Sequence, residues 1–102
     1  MSKKISVHSL TEDELGQIAR RFKTLGEPMR LKILQAVCKG PRTVGDIVTA
    51  TGATQANISK HLSLLAGAGI LTRTKDGQCV YYGMKDQLAV KLCTLVREQL
   101  AD

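Results

Sequence analysis

The sequence has few aromatic side chains, no paired-cysteine motif and, over a long central stretch, no acidic residue. Phe22, Tyr81 and Tyr82 are its only aromatics, so a core has to be built from Leu, Ile, Val and Ala, which suits helix packing. Cys38, Cys79 and Cys93 are odd in number and form no Cys-x-x-Cys pair, which argues against a secreted disulfide scaffold. No apolar run approaches the ~20 residues of a membrane span. Lys3 and Lys4 lead into a polar, acidic stretch rather than the apolar run of a secretory leader. Internal repeats and low-complexity segments are absent as well. The expectation is a soluble, cytoplasmic protein with no membrane partner.

What is present fits one small domain. The chain has 102 residues, of which 43% are hydrophobic, enough for a modest core. Chains this short often gain stability by dimerising. The formal net charge is +6, which favours a polyanionic partner, either nucleic acid or an anionic membrane surface. Between Asp46 and Asp76 there is no acid, while Lys60, His61, Arg73 and Lys75 fall inside that stretch; elsewhere acids and bases are mixed.

Residues 1–10 read as a flexible arm and residues 11–102 as the domain. Thr11 and Glu14 have capping-box spacing, and Leu10 and Leu15 that of a hydrophobic staple. Leu15, Ile18, Ala19, Phe22 and Leu25 then recur with helical period until Gly26. Pro28 suits the first turn of a second helix, with Leu31, Ile33, Leu34, Val37 and Cys38 on its apolar face and Gly40-Pro41 as its stop. Thr43 and Asp46 repeat the capping-box pattern before a short third helix that ends near Thr51, and Gly52 makes a turn. Thr54 caps a fourth helix that buries Ile58, Leu62 and Leu65 and carries Gln55, Asn57, Ser59, Lys60 and His61 on its other face. Gly67 and Gly69 end it. Two strand-like runs, Ile70 to Lys75 and Gln78 to Met84, flank Asp76-Gly77, a hairpin signal in which both turn residues are expected at positive φ. Asp86 can cap a last helix to Ala101, with Leu88, Leu92, Leu95, Val96 and Leu100 apolar. Two short helices joined by a Gly turn and followed at once by a basic hairpin make a mainly α winged helix-turn-helix. The first and last helices carry more apolar residues than one small core needs, which predicts a homodimer seam.

Three segments carry a family resemblance. Phe22-Lys23-Thr24-Leu25-Gly26-Glu27-Pro28-Met29-Arg30-Leu31-Lys32-Ile33-Leu34 resembles the opening signature of the ArsR-type repressors, the arsenic- and metal-responsive family. Thr54-Gln55-Ala56-Asn57-Ile58-Ser59-Lys60-His61-Leu62 resembles its recognition-helix motif, Ser-Gln-x-x-x-Ser-x-His-Leu. Gly77-Gln78-Cys79-Val80-Tyr81-Tyr82 is similar to its wing strand, Gly-x-x-Val-Tyr-Tyr. The match runs in order over about residues 15 to 100. It implies a winged-helix homodimer that represses transcription and is often released by an effector.

The residues suggest how such a protein would hold double-stranded DNA. The major groove admits one helix, and side chains near its N-terminus reach base edges. Gln55 and Asn57 can pair bidentately with adenine, Ser59 and His61 can bond base or phosphate, Lys60 supplies charge, and Thr54 with the free helix-start N–H groups suits a phosphate. His61 has a second reading, as a structural partner of a neighbouring helix. Arg42 and Thr43 either clamp a phosphate or form a simple cap beside a surface arginine. Arg73, Lys75 and Gln78 flank the hairpin tip, where a wing touches phosphate or the minor groove. Tyr81 and Tyr82 point to opposite faces of a strand, so one is expected in the core and one partly exposed.

Sensing is less legible. Against the resemblance, the Cys-x-Cys of arsenic-sensing members is replaced by Thr43 and Gly45. The last helix lacks the histidines of zinc-sensing members. The second-helix cysteine of persulfide-sensing members falls near Gln35, one turn before Cys38, and Cys93 precedes the usual place of its partner. Cys38 and Cys93 are therefore either a thiol sensor or two small apolar core residues; Cys79 reads as structural. No Ser/His/Asp set, phosphate loop or metal-ligand cluster is present, so neither an enzyme nor a resident cofactor or metal is expected. Two functions remain: a homodimeric repressor on an inverted-repeat operator, with release by a thiol-reactive or other effector left open, or a winged-helix protein-interaction module or co-regulator without specific DNA binding.

Overall fold

A computed structural model describes residues 6–101. Helix α1 spans Glu12–Leu25, α2 Pro28–Val37, β1 Arg42–Thr43, α3 Val44–Thr51, α4 Gln55–Gly67, β2 Leu71–Asp76, β3 Cys79–Met84 and α5 Leu88–Leu100. The strands form one antiparallel sheet in the order β1-β3-β2. The architecture is the expected winged helix-turn-helix.

Most boundaries follow from local chemistry. The Thr11 hydroxyl accepts from the Glu14 N–H at 3.1 Å, and the Glu14 carboxylate accepts from the Thr11 N–H at 2.9 Å, so both halves of the first capping box form. Pro28 sits in the first turn of α2, and the Glu27 carboxylate takes the Met29 N–H at 2.8 Å. Thr43 and Asp46 form the second capping box. Gly52 closes α3 at φ 75°, the left-handed region that glycine enters without a Cβ penalty, and its N–H returns to the Val48 carbonyl. After α4, the Gly69 N–H bonds the Ala66 carbonyl and the Ile70 N–H bonds the Leu65 carbonyl, the paired bonds of a Schellman ending.

Ile33, Ile47, Ile58, Leu62, Leu65 and Val37 are the largest fully buried side chains, so the core lies among α2, α3 and α4. Leu71 and Tyr82 close it from the sheet, with Ile70 just before β2. Tyr82 is buried and Tyr81 half-buried, as alternation along β3 requires. The terminal helices contribute little: α1 buries only Leu25, and α5 only Ala89.

The structure corrects the sequence reading at several points. The hairpin loop is Gly77-Gln78, because Asp76 pairs with Cys79 as the last rung of the ladder. Only Gly77 has positive φ, at 65°. A glycine at the first loop position with an ordinary residue after it matches the type II′ turn, so the Asp-Gly signal was one position out of phase. The two-residue strand β1 was not expected; it is too short to carry an alternation pattern, and Arg42 pairs with Tyr82 and Thr43 with Tyr81. Asp86 is not the N-cap of α5; Gln87 occupies that place, and the Asp86 carboxylate takes the Leu88 N–H from one residue further out. Helix α5 ends at Leu100. Cys79 is exposed rather than a packed structural residue. Of the expected N-terminal arm, residues 1–5 lie outside the described residues, and Val7–Ser9 form one 3-10 turn.

Candidate nucleic-acid interface

Helix α4 is held from below by Ile58, Leu62 and Leu65, which are fully buried. With 3.6 residues per turn, the direction opposite that stripe belongs to Ala56, Lys60 and Ser63, spaced four and three residues apart, and all three are exposed. Ser59 lies on one flank of this outer face and Asn57 on the other, while Gln55 and His61 lie further round toward the buried stripe. Gln55 and Asn57 are exposed, whereas Ser59 and His61 are half-buried. Ala56 and Ser63 were therefore missed as members of the face. The signal that finds them is their spacing from Lys60 rather than their side-chain type.

The start of α4 carries no acid in its first turn. The Thr54 hydroxyl accepts from the Asn57 N–H at 3.2 Å, which leaves its own hydrogen free to donate. The start of α3 differs. Its capping box engages the backbone N–H groups of Thr43 and Asp46 and places the Asp46 carboxylate there. Thr43 thus serves the helix first, and Arg42 is the cation left at that end.

The sheet brings distant residues into register. Arg42 and Arg73 both pair with Tyr82, one from each side, so they share a cross-strand row on one face of the sheet. Neighbouring strands are about 4.8 Å apart, which puts the two arginine backbones roughly 10 Å apart. Lys75 follows two residues after Arg73 and points to the same face; Gln78 sits in the turn. Arg42, Arg73, Lys75 and Gln78 are all exposed. The acid nearest the tip is Asp76. On the other face, negative charge on the neighbouring Cys79 sulfur raises the Tyr81 phenol above its ordinary pKa, with burial, Asp76, a hydrogen bond to Cys79 and Asp46 adding to the effect.

His61 is tied inward. The Arg30 Nε–H donates to His61 Nδ1 at 3.2 Å, and Arg30 Nη1 donates to the Thr24 carbonyl at 3.0 Å. Cys38 and Cys93 line one open groove between α2 and α5, of about 610 Å³, together with Leu31, Leu34, Val90 and the cations Lys32 and Arg97. Cys38 is half-buried and Cys93 exposed, so neither is a fully packed core residue. Among the described residues no group of three or more His, Cys, Asp or Glu side chains could hold a metal ion. No helix among them is long and apolar enough to cross a membrane.

Comparison with known proteins agrees with the fold. Residues 27–73, which run from the N-cap of α2 into β2, match the family described as "Bacterial regulatory protein, arsR family". A probable mercury resistance operon repressor of Streptomyces lividans is 37% identical over 84 residues, covering 82% of this chain and 67% of that protein. The HTH-type transcriptional regulator CmtR of Mycobacterium tuberculosis is 38% identical over 85 residues, covering 82% of this chain and 72% of its own length. Among solved structures, a homodimeric winged helix-turn-helix DNA-binding domain from Mycobacterium bovis superposes with a TM-score of 0.77 at 29% identity, covering 99% of this chain and 91% of that one. With the winged fold and these matches together, this chain belongs to the arsR family of bacterial regulatory proteins, DNA-binding regulators of transcription.

Proposed function

We propose that the protein is a sequence-specific repressor that works in the cytoplasm as a homodimer on an inverted-repeat operator. The observation that carries this is the joining of an acid-free reading helix to a basic sheet row. Helix α4 presents Ala56, Asn57, Lys60 and Ser63 outward, with Gln55 exposed at its first residue and Ser59 and His61 toward the sides. Thr54 and the start of α4 meet a phosphate, as do Arg42, Thr43, Arg73, Lys75 and Gln78 around the wing. The amides and the Ala56 methyl read base edges in the major groove, and the cations fix register on the backbone.

The dimer rests on α1 and α5. Phe22 is 57% exposed, Leu95 61% and Leu100 78%, and Leu15, Ile18, Leu88 and Val96 are exposed beside them. So many large apolar side chains on two helices call for a partner surface. The similar domain from Mycobacterium bovis is described as homodimeric. A twofold dimer sets two reading helices about 34 Å apart, one DNA turn.

The groove between α2 and α5 is the proposed entry for an effector that reacts with thiols, bonding Cys38, Cys93 or both. The experiment for the whole reading selects duplexes from a random library and sediments the free protein at micromolar concentration. An enriched inverted repeat and a dimeric sedimentation coefficient are expected. Sequence-blind binding would instead leave a winged helix used for protein contacts, and a monomer at high concentration would remove the twofold argument.

A further inference from the structure

The bond between Arg30 and His61 goes beyond the reading above, although it rests on α4 being the DNA reader. We infer that Arg30 is a positioning residue for DNA recognition: one guanidinium holds the end of α1 and the recognition helix α4 at the same time, through the Thr24 carbonyl and His61 Nδ1.

The bonding is unusual in its partners. Among the described residues, both bonds of Arg30 go to neutral acceptors, so its charge is retained beside α4. Thr24 is next to last in α1, where the final carbonyls have no partner within the helix and a cation is favoured by the helix dipole. A ring nitrogen accepts only when it carries no proton, so the hydrogen of the His61 imidazole is on Nε2. The planar guanidinium sets the angle between its two bonds, which a lysine ammonium cannot do.

This matters because of how α4 is otherwise attached. Ile58, Leu62 and Leu65 hold it by apolar contact, which is non-directional and tolerates small rotations about the helix axis. The Arg30 bond is directional and joins α4 to the helix proposed to form the dimer seam. It therefore fixes the rotation of the reading face relative to the twofold axis. The sequence places Arg30 in the family signature at the start of α2 and His61 in the recognition helix, 31 positions apart, with nothing to link them until the fold does.

Two isosteres of His61 separate this role from direct DNA contact. Asparagine puts an acceptor where Nδ1 stands and keeps the bond to Arg30; glutamine puts its amide where Nε2 stands and loses it. Full-length wild type, Arg30→Lys, His61→Asn and His61→Gln are titrated with a library-selected 30-base-pair duplex and with a scrambled duplex. Melting temperatures and the ¹⁵N shift of His61 Nδ1 are recorded alongside. Arg30→Lys keeps the charge, so a loss is not one of counterion release. Arg30→Lys and His61→Gln are expected to lose about tenfold on the selected duplex and little on the scrambled one, as for one charge-assisted hydrogen bond. His61→Asn, which keeps the acceptor for Arg30, loses clearly less than His61→Gln, and Arg30→Lys moves the Nδ1 shift. If Arg30→Lys fails to fold, the pair of His61 variants decides. The inference is overturned if Arg30→Lys binds the selected duplex like wild type, or if His61→Asn falls as far as His61→Gln. A wild type that does not distinguish the two duplexes refutes DNA reading instead, and the Nδ1 shift in Arg30→Lys then decides on the bond alone.

Discussion

Replacing Gln55, at the exposed start of α4, by alanine should separate affinity from stability. Gln55 is the first residue of α4, is exposed, and its side chain makes no hydrogen bond among the described residues. The core stripe begins three residues later at Ile58. Truncation therefore leaves no cavity and no orphaned partner, and alanine favours a helix at least as well as glutamine. The stability change should stay within about 0.5 kcal/mol, the range for exposed substitutions. That corresponds to roughly 3 °C in melting temperature for a domain of this size. On DNA the loss is different in kind. A glutamine amide both donates and accepts, which matches adenine in the major groove, and a good bidentate pair is worth about 1–3 kcal/mol. The dissociation constant for the operator should rise about 5- to 150-fold. Non-specific affinity should hold, because no charge is removed. The assay is a paired titration of wild type and Gln55→Ala on operator and scrambled duplexes at fixed salt. Equal losses on both would show that Gln55 only positions the helix. No loss on either would refute base reading at this residue and move weight to Asn57.

Lys75→Ala should weaken binding to all duplexes alike and reduce the slope of log affinity against log salt by about 0.9, one released counterion; a changed sequence preference would mean that Lys75 reads bases. Gly52→Ala should cost about 1–2 kcal/mol in urea unfolding, since φ is 75° and no atom lies within 4 Å of the added methyl, so the cost is backbone strain alone. Gly67→Ala, at the last residue of α4 with equally open space, should instead stabilise by up to about 1 kcal/mol, and two changes of the same sign would contradict the turn geometry. In an absorbance titration the Tyr81 phenol should ionise above the ordinary value of about 10, and Cys79→Ala should bring it down. The fold then favours the protonated phenol, so this contribution to stability is complete below the ordinary value and is lost as pH rises through the folded one; an early Tyr81 step would reverse the sign.

The parts legible in the sequence were those written in local chemistry. Thr11 with Glu14, Thr43 with Asp46, Pro28, Gly52 and Thr54 each act on backbone groups within a few residues, so spacing alone located four helix starts and one turn. The stripe of Ile58, Leu62 and Leu65 similarly fixed which side of α4 faces inward. The reverse side was only partly legible, because side-chain chemistry was weighed above angle: Ser59 and His61 look like surface groups yet stand half-buried, whereas Ala56 and Ser63 look inert and face outward. What failed depended on distant partners. The phase of the hairpin is set by the pairing of Asp76 with Cys79, and β1 exists only because β3 offers an edge to Arg42 and Thr43. The row that joins Arg42 to Arg73 through Tyr82 comes from that same edge and has no trace in either local sequence.

The layout of the molecule also constrains how an effector can reach DNA. The reading head packs on itself through α2, α3, α4 and the sheet, while α1 and α5 add one buried residue each and leave their apolar sides exposed. The cysteine groove lies between α2 and α5, the latter one of the two helices proposed for the dimer seam, and none of the residues lining it belongs to α4 or the wing. On the proposed reading, an adduct there would remove no DNA contact and add no charge to the face of α4. In the proposed dimer it would release DNA only by favouring a different arrangement of the two heads, because a ligand shifts an equilibrium only by its differential affinity for the states involved. Spacing and rotation of the heads are the variables open to it, since an inverted repeat demands both at once. The contact that carries rotation from the seam to the reading face is the one from the end of α1 through Arg30 to His61. A repressor built this way can alter its effector site without altering its operator, and its recognition helix without altering what releases it.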